Sequence, residues 1–148
     1  MSGKTGCYPR GVLELTRQVY EAMLVHALDG LPDEACGLFA ASPATGTVER
    51  FFPMTNTAAS SQLYRLDGRE MMKVEAQADA EQLAIAGVMH SHTHTSAYPS
   101  PTDVRDAETF DPFGAWLFII VSLKHPEPAL RAFRILGDVI AEEPVAIV

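Results

Sequence analysis

The sequence predicts an α/β domain built on a mixed, partly antiparallel sheet. Three observations lead there: short apolar runs bounded by turn residues, helical stretches that open at Ser, Thr or Asp, and an order in which strands and helices do not alternate strictly. The length, 148 residues, suits one domain, and a chain of this size buries about 70% of the surface it exposes when unfolded. Residues 1–10 carry Gly and Ser without periodicity and are expected to be a flexible N-terminus, with 11–148 as the single domain.

The elements follow in order. Val12–Leu15 reads as a short strand. Thr16 caps a helix through Asp29, whose apolar residues Val19, Met23, Val25, Ala27 and Leu28 are expected to form its buried surface. Gly30 ends that helix and Leu31-Pro32 turns the chain. Glu34–Ala41 is a buried strand, and Ser42–Gly46 turns it into Thr47–Pro53 as a hairpin. Leu63–Leu66 is a short extended piece, and Asp67 caps a helix through Gln82. Leu83–His92 is an apolar strand, Thr93–Pro99 a loop, and Ser100 opens a helix through Thr109. After the turn Asp111–Gly114 come three strands, Ala115–Leu123, Ala129–Leu136 and Val139–Ile147. Trp116, Phe118, Ile119 and Ile120 read as core.

Composition narrows the function. Hydrophobic residues make up 47% of the chain and charged residues 20%, as in ordinary globular proteins. The formal charge of −8 repels phosphate backbones, so nucleic acid is not expected as a partner. The longest apolar run, Ala115–Leu123, is strand-sized and far short of the ~20 residues that span a bilayer. The N-terminus lacks the apolar stretch of a secretory signal, so a cytoplasmic location is expected. Two cysteines, Cys7 and Cys36, make no disulfide framework. A homodimer is kept open as the assembly.

The chemistry concentrates in one stretch. His90 and His92 stand two apart at the end of an apolar strand, where residues i and i+2 share a face. Two imidazoles so placed can chelate one ion. Zinc suits imidazole and carboxylate donors, and a catalytic zinc takes three protein ligands and leaves a position open. Asp103, at the first turn of the following helix, can return over the strand end as the third ligand. Ser100-Pro101-Thr102-Asp103 is also good helix-start chemistry, and the two readings are compatible because a ligand needs a fixed mount. His94 extends the series; it could replace another histidine as ligand or serve substrate or proton transfer, but the spacing to Ser100 and Asp103 favours His90 and His92. A hydrolytic site also needs a general base. Glu34, an acid at the start of an apolar strand, is a candidate, although a surface acid at a strand end is the commoner explanation. Cys36 alternates with Glu34 and shares its face; it is read as a small buried thiol rather than a ligand.

The combination of Glu34 on an early strand with His90-x-His92, seven residues, Ser100, two residues and Asp103 resembles the JAMM/MPN+ metalloprotease family. It looks closest to the bacterial Mec-type sulfur-carrier-protein–cysteine hydrolases. That likeness rests on Pro32–Gly37, Pro53–Asn56, Tyr64–Asp67, His90–Thr93, Ala97–Ser100 with Thr102–Val104, and Glu142–Val145. One departure is Thr93, where many members carry Pro. The resemblance implies a curved mixed sheet with one helix on either side, similar to the cytidine deaminase fold. It implies zinc on His90, His92 and Asp103, Glu34 as base and Ser100 as donor to the oxyanion. The implied partner is a ubiquitin-like sulfur-carrier protein with a Gly-Gly tail, from which cysteine is released. Met54, Asn56, Tyr64 and His94 are the candidate substrate-binding residues, the first three where an extended tail could add to a sheet edge. Two alternatives accompany this reading: a JAMM isopeptidase or peptidase for another ubiquitin-like or peptidyl substrate, and a non-catalytic MPN binding module.

Overall fold

The computed structural model describes residues 11–148; the N-terminus expected to be flexible, with Cys7, lies outside the described residues. One eight-stranded sheet organises the rest. Its strands are β1 (Leu13–Leu15), β2 (Cys36–Ala41), β3 (Val48–Met54), β4 (Ala84–His92), β5 (Leu117–Ser122), β6 (Ala129–Leu136), β7 (Val139–Glu143) and β8 (Val145–Ile147). They lie side by side as β7-β6-β5-β4-β2-β3-β1-β8. The β2–β3, β2–β4, β5–β6 and β6–β7 pairs are antiparallel, whereas β4–β5, β1–β3 and β1–β8 are parallel. The sheet is therefore mixed, as expected.

Three helices form where local chemistry starts them. α1 (Arg17–Asp29) opens at Thr16, whose Oγ1 accepts from the Val19 amide at 3.2 Å. α2 (Gly68–Ala80) opens at Asp67, whose carboxylate accepts from the Glu70 amide at 3.0 Å. α3 (Pro101–Phe110) opens at Ser100 with a reciprocal capping box to Asp103. Side chains alternate across the sheet and divide the core in two. Leu15, Phe39, Phe51, Met89 and Ile119 pack with Val19, Met23 and Ala27 of α1 on one face. Leu38, Phe52, Val88, Ile120 and Phe133 pack with Val74 and Ala78 of α2 and Ala107 of α3 on the other. The expected single helix on either side is corrected to one on one face and two on the other.

Two further expectations change. Only the i, i+4, i+8 stripe Val19–Met23–Ala27 of α1 is buried. Val25 and Leu28 turn to the opposite side and are 56% and 50% exposed. The segment Val139–Ile147 is two strands rather than one. Pro144 has no amide hydrogen to continue a ladder, and the chain passes there from β7 at one edge of the sheet to β8 at the other. A single residue bridging the two edges curls the sheet almost into closure. The Leu13 amide secures the corner by donating to the Pro144 carbonyl at 2.8 Å. Among the described residues no helix is long and apolar enough to cross a membrane.

Gly87 lets β4 approach β5 closely beneath the functional end of the sheet. A Cβ there would lie 1.9 Å from the Leu117 carbonyl oxygen and 2.7 Å from Phe39 Cζ. Gly87→Ala is expected to cost at least about 3 kcal/mol by forcing the two strands apart. Denaturant unfolding measures this directly; a loss below about 1 kcal/mol would show that β4 and β5 separate easily.

Candidate metal centre

The site forms where β2 starts, β4 ends and α3 begins. Cys36 pairs with His90 across the β2–β4 ladder. One residue further, the Ser91 amide donates to the Ala35 carbonyl at 2.9 Å, and Ser91 Oγ accepts from the Ala35 amide at 2.7 Å. Ser91 thus clamps the two strand ends together from the α1 side. His90 and His92 consequently face α2 and α3, on the same side as Val88. Extending the register by one more pair sets Glu34 opposite His92 on that face. β5 holds the end of β4 in place, because the Leu123 amide donates to the His92 carbonyl at 2.9 Å.

α3 brings the third group. Ser100 Oγ accepts from the Asp103 amide at 3.1 Å, and Asp103 Oδ2 accepts from the Ser100 amide at 2.9 Å. The same Oδ2 lies 3.2 Å from His90 Nε2 and 3.0 Å from His92 Nε2, and the two nitrogens are 3.1 Å apart. All three residues are buried. Donor atoms 2.0–2.1 Å from a tetrahedral ion sit about 3.3 Å from one another, so this triangle has the size of one face of such a shell.

Proton accounting supports the same fit. His92 Nδ1 lies 2.7 Å from the Ser96 carbonyl oxygen, which can only accept, so Nδ1 carries the hydrogen. A neutral His92 then aims its Nε2 lone pair at a carboxylate oxygen and at a second imidazole nitrogen. That arrangement repels unless a hydrogen or a metal ion lies among the three atoms. The electrostatics agree. Burial acts to lower the His92 pKa, but its hydrogen bonds to Asp103 and to the Ser96 carbonyl and the charges of Asp103 and Glu34 raise it above its usual value. Burial acts to raise Asp103, yet His90, His92 and the Ser100 amide hold its carboxyl well below the ordinary range. The donor set fits a divalent metal ion.

Glu34 is 5% exposed, and its Oε1 is buried without a hydrogen-bond partner among the described residues. Burial pushes its pKa up to about 8, assisted by Asp103 and Asp106 and opposed by His92. Ser100 spends an oxygen lone pair on its cap and keeps its hydroxyl hydrogen available. His94 is exposed and stands outside the triangle. Cys36 is fully buried, and burial, with Glu70 and Glu34, pushes its thiol up to about 12, which fits an inert core residue.

Three candidate substrate contacts make defined contacts within the fold. Met54 is buried in the core on the α2 side. Asn56 is occupied by a loop: its Nδ2 donates to the Glu34 and Leu63 carbonyls, each at 3.0 Å, and its Oδ1 accepts from the Ala58 and Arg65 amides, also at 3.0 Å. One amide therefore ties the Glu34 backbone to the 56–65 loop. Tyr64 is buried and stacks on the His90 ring, with centroids 4.5 Å apart. The sequence reading missed Ser91 as a clamp and Tyr64 as a platform. For Ser91 a signal existed, since a small hydroxyl residue between two same-face histidines must point to the other face.

The family model described as prokaryotic homologs of the JAB domain, Prok-JAB, matches residues 16–136. The chain belongs to this family. The Prok-JAB chain is 40% identical over 139 residues to proteins named "CysO-cysteine peptidase" from Mycobacterium bovis and Mycobacterium tuberculosis, covering 93% of this chain and 92% of theirs. It is 33% identical over 106 residues to a Thermus thermophilus protein named "Probable TtuB-protein conjugate cleaving protease", covering 71% of this chain and 65% of that one. Among solved structures, a Desulfitobacterium hafniense protein superposes with a TM-score of 0.82 at 34% identity, over 92% of both chains. A JAB1/MPN domain protein from Archaeoglobus fulgidus shares the fold at 18% identity, with a TM-score of 0.59 over 90% of this chain and 99% of that one.

Two outcomes follow from the site's geometry. Asp103→Ala is expected to reduce bound metal from about one ion per chain to near zero in a stoichiometric metal assay; unchanged metal would remove Asp103 from the ligand set. In chelator, Glu34 stabilises the folded chain most below pH 4.5, its usual pKa, because the buried carboxyl keeps its proton; that contribution is lost as pH rises through about 8. Glu34→Gln should therefore gain melting temperature over the parent progressively between pH 4.5 and 9. A difference independent of pH would mean that Glu34 is not desolvated.

Proposed function

We propose that the chain is a zinc-dependent hydrolase that cleaves the amide bond between the C-terminal tail of a ubiquitin-like sulfur-carrier protein and a terminal cysteine. The observation that carries the chemistry is a buried, unpartnered Glu34 carboxylate oxygen on the same sheet face as the His90–His92–Asp103 triangle. The substrate class is supported by 40% identity over nearly the whole chain to proteins named for cysteine removal from CysO. The presence of the full donor set disfavours a non-catalytic binding module. We place the reaction in the cytoplasm, with residues 11–148 as one catalytic unit.

An ion held by the three donors would supply Lewis acidity, polarising a carbonyl and lowering the pKa of water toward ~7. The remaining steps belong to this chain's own side chains. Glu34 Oε1 accepts the proton of the attacking water and then gives it to the departing amide nitrogen. Its desolvated position suits a group that must hold a proton between those events. The Ser100 hydroxyl donates to the carbonyl oxygen as negative charge builds there; the cap bond fixes the oxygen while the hydrogen stays free. Asn56 holds the Glu34 backbone, and Tyr64 holds the His90 ring. A Gly-Gly tail carries no side chain to obstruct its approach to this enclosed end of the sheet.

The test is incubation with a ubiquitin-like carrier bearing a C-terminal cysteine, read by intact mass. Loss of one cysteine residue mass, blocked by chelator and restored by zinc, is expected. Glu34→Gln should keep its zinc and lose at least about a hundredfold in turnover. Full turnover in that variant would overturn the base assignment. Cleavage of lysine-linked conjugates with no cysteine release would favour the isopeptidase alternative.

A further inference from the structure

Next to Tyr64, and lined by none of the three metal donors, lies a cavity of about 350 Å³ between the Leu63–Leu66 segment and one stripe of α3, a volume suited to a small ligand. Tyr64, Leu66 and Phe110 supply apolar and aromatic walls, and Arg65, Thr102 and Asp106 supply its polar groups. Tyr64 connects it to the site, since the same ring stacks on His90. Asp106 connects it a second time. Burial and the Asp103 charge raise its carboxyl, while His90, Arg105 and Arg65 lower it, so it stands within electrostatic reach of both the triangle and Arg65.

Arg65 is mounted rigidly. Its amide donates to Asn56 Oδ1 at 3.0 Å, and its carbonyl accepts from the amide and the hydroxyl of Thr57, each at 3.0 Å. Its side chain is exposed and enters no ion pair among the described residues. Arg50, Arg131 and Arg134 are each paired with a glutamate; Arg17, Arg69 and Arg105 share Arg65's lack of an ion pair among the described residues, but Arg65 is the arginine that lines the cavity. In a chain of net charge −8, an arginine on a fixed backbone that lines the cavity and enters no ion pair among the described residues suits an anionic ligand.

The geometry points to a pocket for the leaving residue, in which the Arg65 guanidinium binds the free α-carboxylate of the terminal amino acid. This rests on the hydrolytic reading proposed above and deepens it. The α-carboxylate lies only two bonds from the scissile nitrogen, and this cavity, walled by the Tyr64 ring that stacks on His90 and by the α3 turn that follows Asp103, brings a guanidinium to that side of the site. Hydrolysis frees an amino acid that is a zwitterion, and the cavity offers one guanidinium for its carboxylate and one carboxylate, Asp106, for its new ammonium. A lysine-linked conjugate presents no free α-carboxylate at this distance. Arg65 therefore selects a single terminal residue over an isopeptide.

The test compares two carrier substrates that end in cysteine, one with a free carboxylate and one with a carboxamide. The metal-loaded parent is expected to favour the acid by at least about tenfold in kcat/KM. Arg65→Ala should bring that ratio close to one, and Arg65→Lys should restore part of it, with metal content and melting temperature unchanged in both. A purely structural role for Arg65 would lower both substrates together and leave the ratio intact, which overturns the proposal. Equal cleavage of acid and amide by the parent overturns it as well, while leaving the substrate reading in place. Failure of the parent to cleave either substrate overturns the substrate reading and this proposal with it.

Discussion

A carboxylate oxygen fixed 3.0 and 3.2 Å from two imidazole nitrogens, in a buried site, requires a shared hydrogen or a cation between them. Much of the structure serves to impose that proximity. The β2–β4 register places both rings on one face, Ser91 locks the register from the other face, and the capping box points Asp103 back over the strand end. None of these groups would choose the arrangement alone. The sheet and the helix start hold it, and the repulsion between neutral donors becomes affinity for a cation.

The supporting residues act at one remove from the triangle. Closing β7 to β8 through Pro144 curls the sheet, and Gly87 lets β4 lie tightly against β5. Asn56 gathers a loop whose far end supplies Tyr64 to the His90 ring and Arg65 to the neighbouring cavity. Glu34, the three metal donors and the neighbouring cavity are thus linked by short hydrogen-bonded and stacking contacts rather than by one rigid element.

Much of this was legible because it is local. Thr16, Asp67 and Ser100 announce their helices through side-chain acceptors placed next to the first free amides, and each caps as expected. The shared face of His90 and His92 follows from strand pleating alone. What stayed hidden depends on tertiary partners. Apolar Val25 and Leu28 look like core in one dimension, yet α1 has room to bury a single stripe. Pro144 reads as an interruption, but which sheet edges it joins depends on long-range pairing. Asn56 and Tyr64 carry polar atoms that suggest substrate contact, and only the folded loop reveals that the Asn56 amide is spent on the chain itself and that the Tyr64 ring stacks on His90.

The most direct measurement is anomalous diffraction at the zinc absorption edge from crystals grown with one equivalent of zinc. The account predicts a single strong peak about 2.0–2.2 Å from His90 Nε2, His92 Nε2 and an Asp103 carboxylate oxygen, with open space on the side of Glu34. A peak held by other residues, or crystals that take up no zinc while His90, His92 and Asp103 keep their positions, would contradict it.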